Sequence, residues 1–506
     1  MTRWLAFGYA LLVLAWVFAE APGAGPDEPA NYIKAIAVGH GELLGRPGPL
    51  PYEEALAFGL TAPRYEWANS TTRWVSISPG LAPVGFGCNA FKAAESAGCV
   101  LRQGPRPTGA EQPTYVGTYE PFAYLLPGLL ARFADTAAAA MLVMRLTIAL
   151  ICIALLIGAI WLLTNGARGG VPLIGLLVAV TPAFVWLMSI VNASGPEVCA
   201  GLCFFAGLLR LARPSEVGRA VWIALGASGL VLSVSRPLGV IWLAIDLGLI
   251  VLIANPVDLW QRFRRGLPIS GAMATVVGAA ALTGVAWELA IDPHHHTTFA
   301  EVVNSLSFSL IRLPGNLAEG IGVFGWLETS MPAAAYWLWL SCLAGLILGA
   351  WLVGTPRQRR ILVLLAILTV VVTLAVGAAI LGPTGFVVQG RYVMALAVTL
   401  PLYAGEVIYL SWIRLPRVRW RYLLGGLGLL MAALQFTGWL VNAHRQAVGS
   451  SGLLTFWLRS DWAPPLGWEL WIVLAGVGSL TLTGAVIALA RMGASTRPGQ
   501  TLKAVA

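Results

Sequence analysis

Long apolar runs, separated by short polar segments, follow one another along most of the chain. Runs that reach or approach the length of a membrane span lie at 4–20, 138–164, 171–191, 196–212, 219–234, 237–254, 268–291, 333–354, 360–382, 392–413, 421–441 and 468–491. A helix of about 20 residues crosses the hydrocarbon core of a bilayer, and it satisfies its own backbone hydrogen bonds there. The pattern predicts an all-α, polytopic integral membrane protein with about twelve transmembrane helices, in a single domain over residues 1–506.

A further apolar segment, 121–134, is short and contains Pro127 and Arg132. The distribution of arginines decides whether it spans the membrane, because short cytoplasmic loops are rich in basic residues. With twelve spans and residue 1 inside, the inner loops carry Arg168, Arg210, Arg213, Arg219, Arg262, Arg264, Arg265, Arg357, Arg359, Arg360, Arg414, Arg417, Arg419 and Arg421. An extra span would turn all of these outward. We therefore expect an interfacial helix at 121–134, and both termini in the cytoplasm of a bacterium.

This topology gives three larger outer segments: a first extracytoplasmic loop at 21–120, a second at 292–332 and a third at 442–467. Of 23 acidic residues, Glu216 and Asp258 fall in inner loops and Asp246 and Glu406 in spans, so the other 19 lie on or near the outer face. The first apolar run has an alternative reading as a cleaved signal peptide, since 19–21 resembles a cleavage site. A retained span is favoured because the topology requires it.

Composition excludes a soluble protein, since 58% of residues are hydrophobic and only 11% are charged. The net charge of +9 comes from arginines between spans, so it reports topology and not a nucleic-acid surface. The sequence contains no glycine-rich nucleotide loop, no His-Glu-x-x-His and no Gly-x-Ser-x-Gly. A substrate presented at the outer face is therefore favoured over a cytosolic nucleotide.

Two adjacent carboxylates, Asp27 and Glu28, follow the first span and are flanked by Pro26 and Pro29. One reading makes a carboxylate the general base for an acceptor hydroxyl. The other makes the pair an acidic cap on an interfacial helix, where carboxylates satisfy free backbone N–H groups. The residues alone leave both readings open.

Two lone arginines lie in short outer turns between spans. Arg391 ends a tight turn with Gln389, Gly390 and Tyr392, where a guanidinium could bind a phosphate in bidentate fashion. The alternative for Arg391 is an anchor at the interface. Arg236 lies between two short spans, and its alternative is a helix-terminal residue near carbonyls.

Further polar positions have two readings each. Glu197 follows a short polar turn and is either a helix-capping residue or part of a site. Trp326 and Glu328 belong to a segment of glycines, aromatics and carboxylates that suits a saccharide, although an interfacial aromatic belt looks similar. Cys88 and Cys99 are eleven positions apart in the first loop, and we expect a disulfide if that loop is in an oxidising compartment.

The sequence resembles a bacterial family of polytopic membrane proteins of unknown function. Its members carry Pro-Asp-Glu-Pro-x-His after the first span and Gln-Gly-Arg-Tyr late in the chain. Here these read 26–31, with Asn31 in place of the histidine, and 389–392. The likeness extends to the run from Tyr119 to Tyr124, to Arg145 and to 324–328.

That family in turn is similar to the C-type glycosyltransferases, whose donors are polyprenyl-phosphate sugars and whose first outer loop bears interfacial helices. The resemblance implies that Asp27 is the base and that Glu28 orients the acceptor or helps to hold a divalent cation, if one is used. It implies that Arg391, with Gln389, Tyr392 and Arg236, binds the donor phosphate. Residues expected to contact the acceptor or the sugar are Asn31, Tyr119, Glu197, Trp326 and Glu328.

We therefore expect an enzyme that transfers a sugar from a polyprenyl-phosphate carrier to an envelope glycan or lipid, in contact with membrane lipids and without nucleic acid. A transporter or flippase of a lipid-linked precursor is the main alternative, and a polysaccharide polymerase or ligase is another. The sequence shows no obvious internal repeat and few carboxylates within spans, which disfavours a transporter.

Overall fold

The computed structural model describes residues 2–52, 55, 62–102, 111–167, 170–291, 298–411 and 420–495. Within these residues the helices are α1 (Thr2–Ala19), α2 (Glu28–Gly39), α3 (Ala62–Thr71), α4 (Phe122–Ala131), α5 (Ala137–Thr164), α6 (Leu173–Ala179), α7 (Pro182–Leu187), α8 (Ser194–Ala212), α9 (Arg219–Ser235), α10 (Pro237–Ile253), α11 (Pro256–Arg265), α12 (Ile269–Ile291), α13 (Phe299–Gly322), α14 (Ala333–Val353), α15 (Pro356–Thr384), α16 (Gly390–Ala397), α17 (Thr399–Ser411), α18 (Trp420–Val448) and α19 (Gly467–Ser495). The short strands are β1 (Arg46–Pro47), β2 (Arg73–Ser76), β3 (Glu111–Thr114), β4 (Val323–Phe324) and β5 (Thr329–Ser330).

Nine helices in the described part of the chain are long and apolar enough to cross a membrane. They are α1, α5, α8, α12, α14, α15, the α16–α17 stretch, α18 and α19. The all-α, polytopic membrane architecture is thereby confirmed. The count rises to ten if α10 and α11, which meet at 112°, form one bent span.

One predicted span is broken in the structure, and two others form helices shorter than the roughly 20 residues that cross a bilayer. The run 171–191 forms α6 and α7, which are separated at Val180 and Thr181 because Pro182 has no N–H to continue the helix. The Val180 carbonyl left free by the break accepts a bond from the Gln435 amide at 2.7 Å. Helices α9 and α10 have 17 residues each. The count of twelve spans therefore stays a prediction.

Several arginines expected in the cytoplasm make contacts near the ends of α8 and α10. Arg213 forms a buried ion pair with Glu406 at 2.6 Å, and Arg262 donates to the carbonyls of Leu211 and Arg213. The side chain of Arg357 donates to the Leu252 carbonyl at 2.8 Å. Arg168, Arg414, Arg417 and Arg419, which belong to the same topology argument, lie outside the described residues.

The segment expected as the first loop folds tightly onto the helices. Strands β1, β2 and β3 form an antiparallel sheet in which Arg73 faces Thr114. Helix α2 is buried along its whole length and crosses α4 where Gly39 meets Gly128. A Cβ on Gly128 would lie 2.1 Å from the Ala35 carbonyl oxygen, so this crossing requires glycine. Within 121–134 the structure forms only the ten-residue helix α4, and its placement at the interface remains a prediction.

The segment expected as the second loop contains a helix that the apolar pattern did not predict. Helix α13 begins with a capping box, in which Thr298 and Glu301 bond each other's backbone N–H groups. The β4–β5 hairpin follows it and carries Trp326 and Glu328. Residues 292–297 of this segment lie outside the described residues, and the region 442–467 includes the end of α18.

Candidate functional site

Asp27 is the N-cap of α2 and has a left-handed backbone conformation, with φ of 60°. Left-handed geometry is uncommon outside glycine, although aspartate tolerates it better than most residues. The Asp27 carboxylate accepts a bond from Arg391 Nη2 at 2.6 Å and from the Tyr115 hydroxyl at 3.0 Å. Its side chain is 33% exposed, so a ligand can reach an oxygen that already faces a guanidinium.

Arg391 is positioned by the first turn of α16. Gly390 packs so closely on α13 that a Cβ there would lie 2.3 Å from the Asn316 carbonyl oxygen. The Gly390 N–H donates to the Glu319 carboxylate at 2.8 Å. Burial raises the pKa of Glu319, while this bond and the neighbouring arginine charges lower it. These contacts fix the turn that places the Arg391 guanidinium beside Asp27.

A second guanidinium lies next to the first. Arg236 and Arg391 approach the Tyr392 ring to 4.6 and 5.4 Å from its centroid. Arg236 Nη1 donates to Ser194 at 3.1 Å and to the buried Glu197 at 3.4 Å. The Nε of Arg391 is buried and has no hydrogen-bond partner among the described residues. Two cations and an unused donor make this a suitable position for an anion.

Glu28 occupies a different environment from its neighbour Asp27. Its side chain is fully buried and accepts Arg145 Nε at 2.8 Å and Nη2 at 2.6 Å. The backbone N–H groups of Val191 and Gly25 also donate to it, at 2.9 and 3.2 Å. Every Glu28 oxygen therefore has protein donors. Glu28 therefore holds neighbouring elements together and lines none of the three cavities described next.

Two cavities adjoin the Asp27–Arg391 pair, and a third shares Tyr119 and Arg236 with one of them. The central cleft, lined by Asp27, Asn31, Tyr119, Arg236, Arg391 and Tyr392, is barely large enough for one water molecule. The aromatic cavity, about 150 Å³, is lined by Asp27, Phe91, Tyr115, Trp326, Phe386 and Gln389. The carboxylate cavity, about 560 Å³, is lined by Trp67, Thr71, Tyr119, Glu120, Arg236 and Glu288. Asp27 lies on the first two, while Tyr119 and Arg236 lie on the first and third.

The structure brings most of the sequence-predicted residues to these cavities. Asn31 donates to the Asp27 carbonyl at 2.7 Å and accepts from the Tyr124 hydroxyl at 2.5 Å. Burial raises the pKa of Tyr119 above its usual value, so its hydroxyl remains a donor. Gln389 and Trp326 both line the aromatic cavity.

Glu197 and Glu328 are held in ion pairs. Glu197 is buried between Arg236 and Trp242, whose indole N–H donates at 3.0 Å. Glu328 pairs with Arg445 at 2.8 Å, and it lines none of the three cavities beside Asp27. Burial raises the pKa of Glu328, although Arg445 lowers it.

Cys88 and Cys99 are joined by a disulfide. The segment that it closes carries Phe91 to the wall of the aromatic cavity. In the described ranges, no group of three or more His, Cys, Asp and Glu side chains is arranged to hold a metal ion. The structure therefore assigns no protein ligand set to a divalent cation.

Sequence reasoning gave no role to Tyr115, Glu120 or Tyr124. Tyr115 donates to Asp27, Tyr124 donates to Asn31, and Glu120 lines the carboxylate cavity. The run from Tyr119 to Tyr124, with two tyrosines and a glutamate next to an apolar segment, carried a usable signal for the last two. Tyr115 offered none.

Comparison with models of known protein families places the chain among membrane proteins. Residues 10–400 match the model of a family described as predicted membrane protein (DUF2142). No curated protein and no solved structure matches the chain. Because the family model covers well over half of the sequence, the chain belongs to the DUF2142 family of membrane proteins.

Proposed function

We propose that this protein is a membrane glycosyltransferase that moves a sugar from a polyprenyl-phosphate carrier to an envelope glycan or lipid at the outer face of the membrane. The observation that carries the proposal is the Asp27–Arg391 pair. A partly exposed carboxylate lies 2.6 Å from a buried guanidinium, and a second guanidinium shares the same tyrosine ring. This arrangement puts a base beside a binding position for an anionic leaving group.

The reaction is a single displacement. Asp27 takes the proton of the acceptor hydroxyl as that oxygen attacks the anomeric carbon of the donor sugar. The bond between the anomeric carbon and the phosphate oxygen breaks, and the polyprenyl phosphate leaves with the electron pair. Arg391 and Arg236 stabilise the negative charge that develops on the phosphate. One displacement without a covalent enzyme intermediate inverts the anomeric configuration.

The donor phosphate also frees the base. Without a ligand, Arg391 Nη2 donates to the Asp27 carboxylate at 2.6 Å. A phosphate that uses the unpartnered Nε of Arg391 competes with Asp27 for the same positive charge. A bound donor therefore weakens the contact that occupies Asp27 and leaves its carboxylate oxygen for the acceptor hydroxyl. This order limits unproductive chemistry before the donor is bound.

The two larger cavities suit different substrates. The aromatic cavity offers Trp326 and Phe91 next to Asp27, and sugar rings pack against aromatic faces. We assign the acceptor to this cavity, because Asp27 must reach the acceptor hydroxyl. The donor then approaches through the carboxylate cavity, which Arg236 lines.

The test is transfer by purified protein in liposomes, with a radiolabelled polyprenyl-phosphate sugar and membrane extract as the acceptor source. Asp27→Asn removes the base and keeps a residue that tolerates left-handed backbone. We expect transfer to fall by about 10²- to 10⁴-fold. Asp135→Asn, the same chemical change at an exposed position, is the matched control and should transfer like wild type.

Equal transfer by Asp27→Asn and wild type would refute the assignment of the base. Movement of the labelled lipid between leaflets without any transfer would support the flippase instead. Transfer of a lipid-linked oligosaccharide in preference to a monosaccharide would identify the polymerase or ligase form of the same chemistry.

A further inference from the structure

Glu120 is a buried carboxylate without the donors that such a group requires. It immediately precedes the α4 segment and is 2% exposed. Neither of its carboxylate oxygens has a hydrogen-bond partner within the described part of the chain. A buried unpaired carboxylate is costly, and native proteins satisfy nearly all such groups. Its position therefore indicates that something outside the protein supplies the missing donors.

The surrounding backbone is shaped around this carboxylate. Gly284 of α12 faces it, and a Cβ at that position would lie 3.2 Å from Glu120 Oε1 and 3.0 Å from the Ser233 carbonyl oxygen. A larger residue at 284 would press on the carboxylate. The desolvation and the negative charges of Glu288 and Glu197 raise the pKa of Glu120 to about 7, although Arg236 lowers it.

The wall of the carboxylate cavity carries a positively charged donor, Arg236, and a carboxylate acceptor, Glu120. Arg236 offers a guanidinium whose Nη1 alone forms hydrogen bonds to the described residues, and its side chain is 14% exposed. Glu120 offers two acceptors, and the Tyr119 hydroxyl and Trp67 add a donor and an apolar ring. The volume of about 560 Å³ is typical of a small-molecule site. A ligand with a phosphate and neighbouring hydroxyl groups matches this wall.

We propose that the carboxylate cavity binds the sugar ring of the donor, and that Glu120 selects the sugar by accepting hydrogen bonds from two of its hydroxyl groups. This inference rests on the proposed function, and it names the residue that reads the donor. The donor phosphate contacts Arg236, which lines both this cavity and the central cleft beside Arg391, and the sugar extends from it toward Glu120. Glu120 is a specificity residue, whereas Asp27 performs the proton transfer.

The selection has a physical basis. A carboxylate accepts a pair of hydroxyl donors with its two oxygens, and each bond to a charged group is stronger than a neutral one. A sugar that lacks one of these hydroxyls leaves a buried carboxylate oxygen unpaired. Sites built this way discriminate strongly against the deficient analogue.

The experiment compares wild type, Glu120→Gln and the matched control Glu66→Gln, which makes the same change at an exposed position of α3. Donors are polyprenyl-phosphate hexoses together with deoxy analogues that each lack one hydroxyl. In Glu120→Gln we expect kcat/KM for the intact donor to fall by about 10- to 100-fold. For a deoxy analogue that lacks either of the two recognised hydroxyls, the loss of kcat/KM caused by the same substitution should be smaller than for the intact donor, because one of the two bonds is already absent. Glu66→Gln should match wild type with every donor.

A second measurement keeps this inference separate from the proposed function. Binding of soluble hexose 1-phosphates to the purified full-length protein is followed by saturation-transfer NMR. Binding that depends on Glu120 without any transfer would support the cavity and overturn the glycosyltransferase. Transfer whose dependence on each hydroxyl is unchanged in Glu120→Gln would support the enzyme and overturn the role of Glu120. Neither binding nor transfer would overturn both.

Discussion

The buried pair of Glu28 and Arg145 gives the sharpest prediction about stability. The two side chains are 0% and 3% exposed, and two bonds of 2.8 and 2.6 Å join them. Arg145 also donates to the carbonyl oxygens of Glu20 and Ala21, at 2.6 and 2.8 Å. The pair therefore ties α5 to the end of α1 and to the start of α2.

Glu28→Gln removes the negative charge and turns an amide N–H₂ toward the donors of Arg145. Breaking a buried ion pair from one side typically costs about 3–5 kcal/mol, because the remaining charge stays buried without compensation. We expect the free energy of unfolding to fall by about that amount. The exposed pair of Arg46 and Glu111, whose side chains are 68% and 47% exposed, is the control. Glu111→Gln should cost less than about 1 kcal/mol.

Unfolding is measured by titrating SDS into detergent micelles and following tryptophan fluorescence. The double variant Glu28→Gln, Arg145→Met removes both charges, so its loss should be smaller than the sum of the two single losses. A loss in Glu28→Gln no larger than in Glu111→Gln would refute the reasoning. So would strict additivity in the double variant.

Three further perturbations test other parts of the structure. The pKa of Glu120 is raised to about 7, so the folded state binds its proton more tightly than the unfolded state does. The contribution of Glu120 to the free energy of unfolding is fully present below about pH 4.5 and is lost as the pH rises through 7. Glu120→Gln should therefore be more stable than wild type at pH 8, as measured by thermal unfolding. The same substitution should abolish the donor selectivity. Gly390→Ala places a Cβ 2.3 Å from the Asn316 carbonyl oxygen, so it should shift α16. We expect kcat/KM for transfer to fall by at least about 10-fold. Transfer at the wild-type rate would contradict this prediction. Gly128→Ala meets the Ala35 carbonyl oxygen at 2.1 Å and should reduce the yield of folded protein in size-exclusion chromatography, whereas Gly248→Ala, with open space around it, should not.

The membrane architecture could be predicted from sequence because hydropathy acts over a whole span. Nine helices in the described ranges meet the length and composition that the apolar runs indicated. The break at Val180 could not be predicted in the same way, because the Gln435 amide that satisfies its carbonyl belongs to a distant helix. Helix α13 was missed because its apolar residues form a stripe and not a continuous run, although its capping box at Thr298 and Glu301 was visible.

The candidate site was partly predictable for a similar reason. Ionisable residues are rare within membrane segments because burying their charge in the bilayer costs free energy. Asp27, Arg236 and Arg391, at the ends of apolar runs, are therefore recognisable in the sequence. Their partners did not, since the contact between Asp27 and Arg391 joins positions 364 residues apart. The adjacent carboxylates also looked equivalent. Because adjacent residues at the start of a helix point in different directions, Glu28 pairs with Arg145 while Asp27, at the N-cap, lines the aromatic cavity and the central cleft.

The number of hydrogen-bond donors around a buried carboxylate distinguishes structural carboxylates from candidate ligand-binding ones in this protein. Glu28 is satisfied by four protein donors and lines no cavity beside Asp27, so its charge serves the fold. Glu120 has no donor among the described residues and lines a cavity of about 560 Å³, so its oxygens are available to accept hydrogen bonds from a ligand. An unpartnered atom alone is insufficient, because Asn442 Oδ1 and Gln446 Oε1 are also unpartnered and line none of the three cavities. The combination of an unpartnered carboxylate and an adjoining cavity is the reason that we propose Glu120 for the donor sugar and Asp27 for proton transfer.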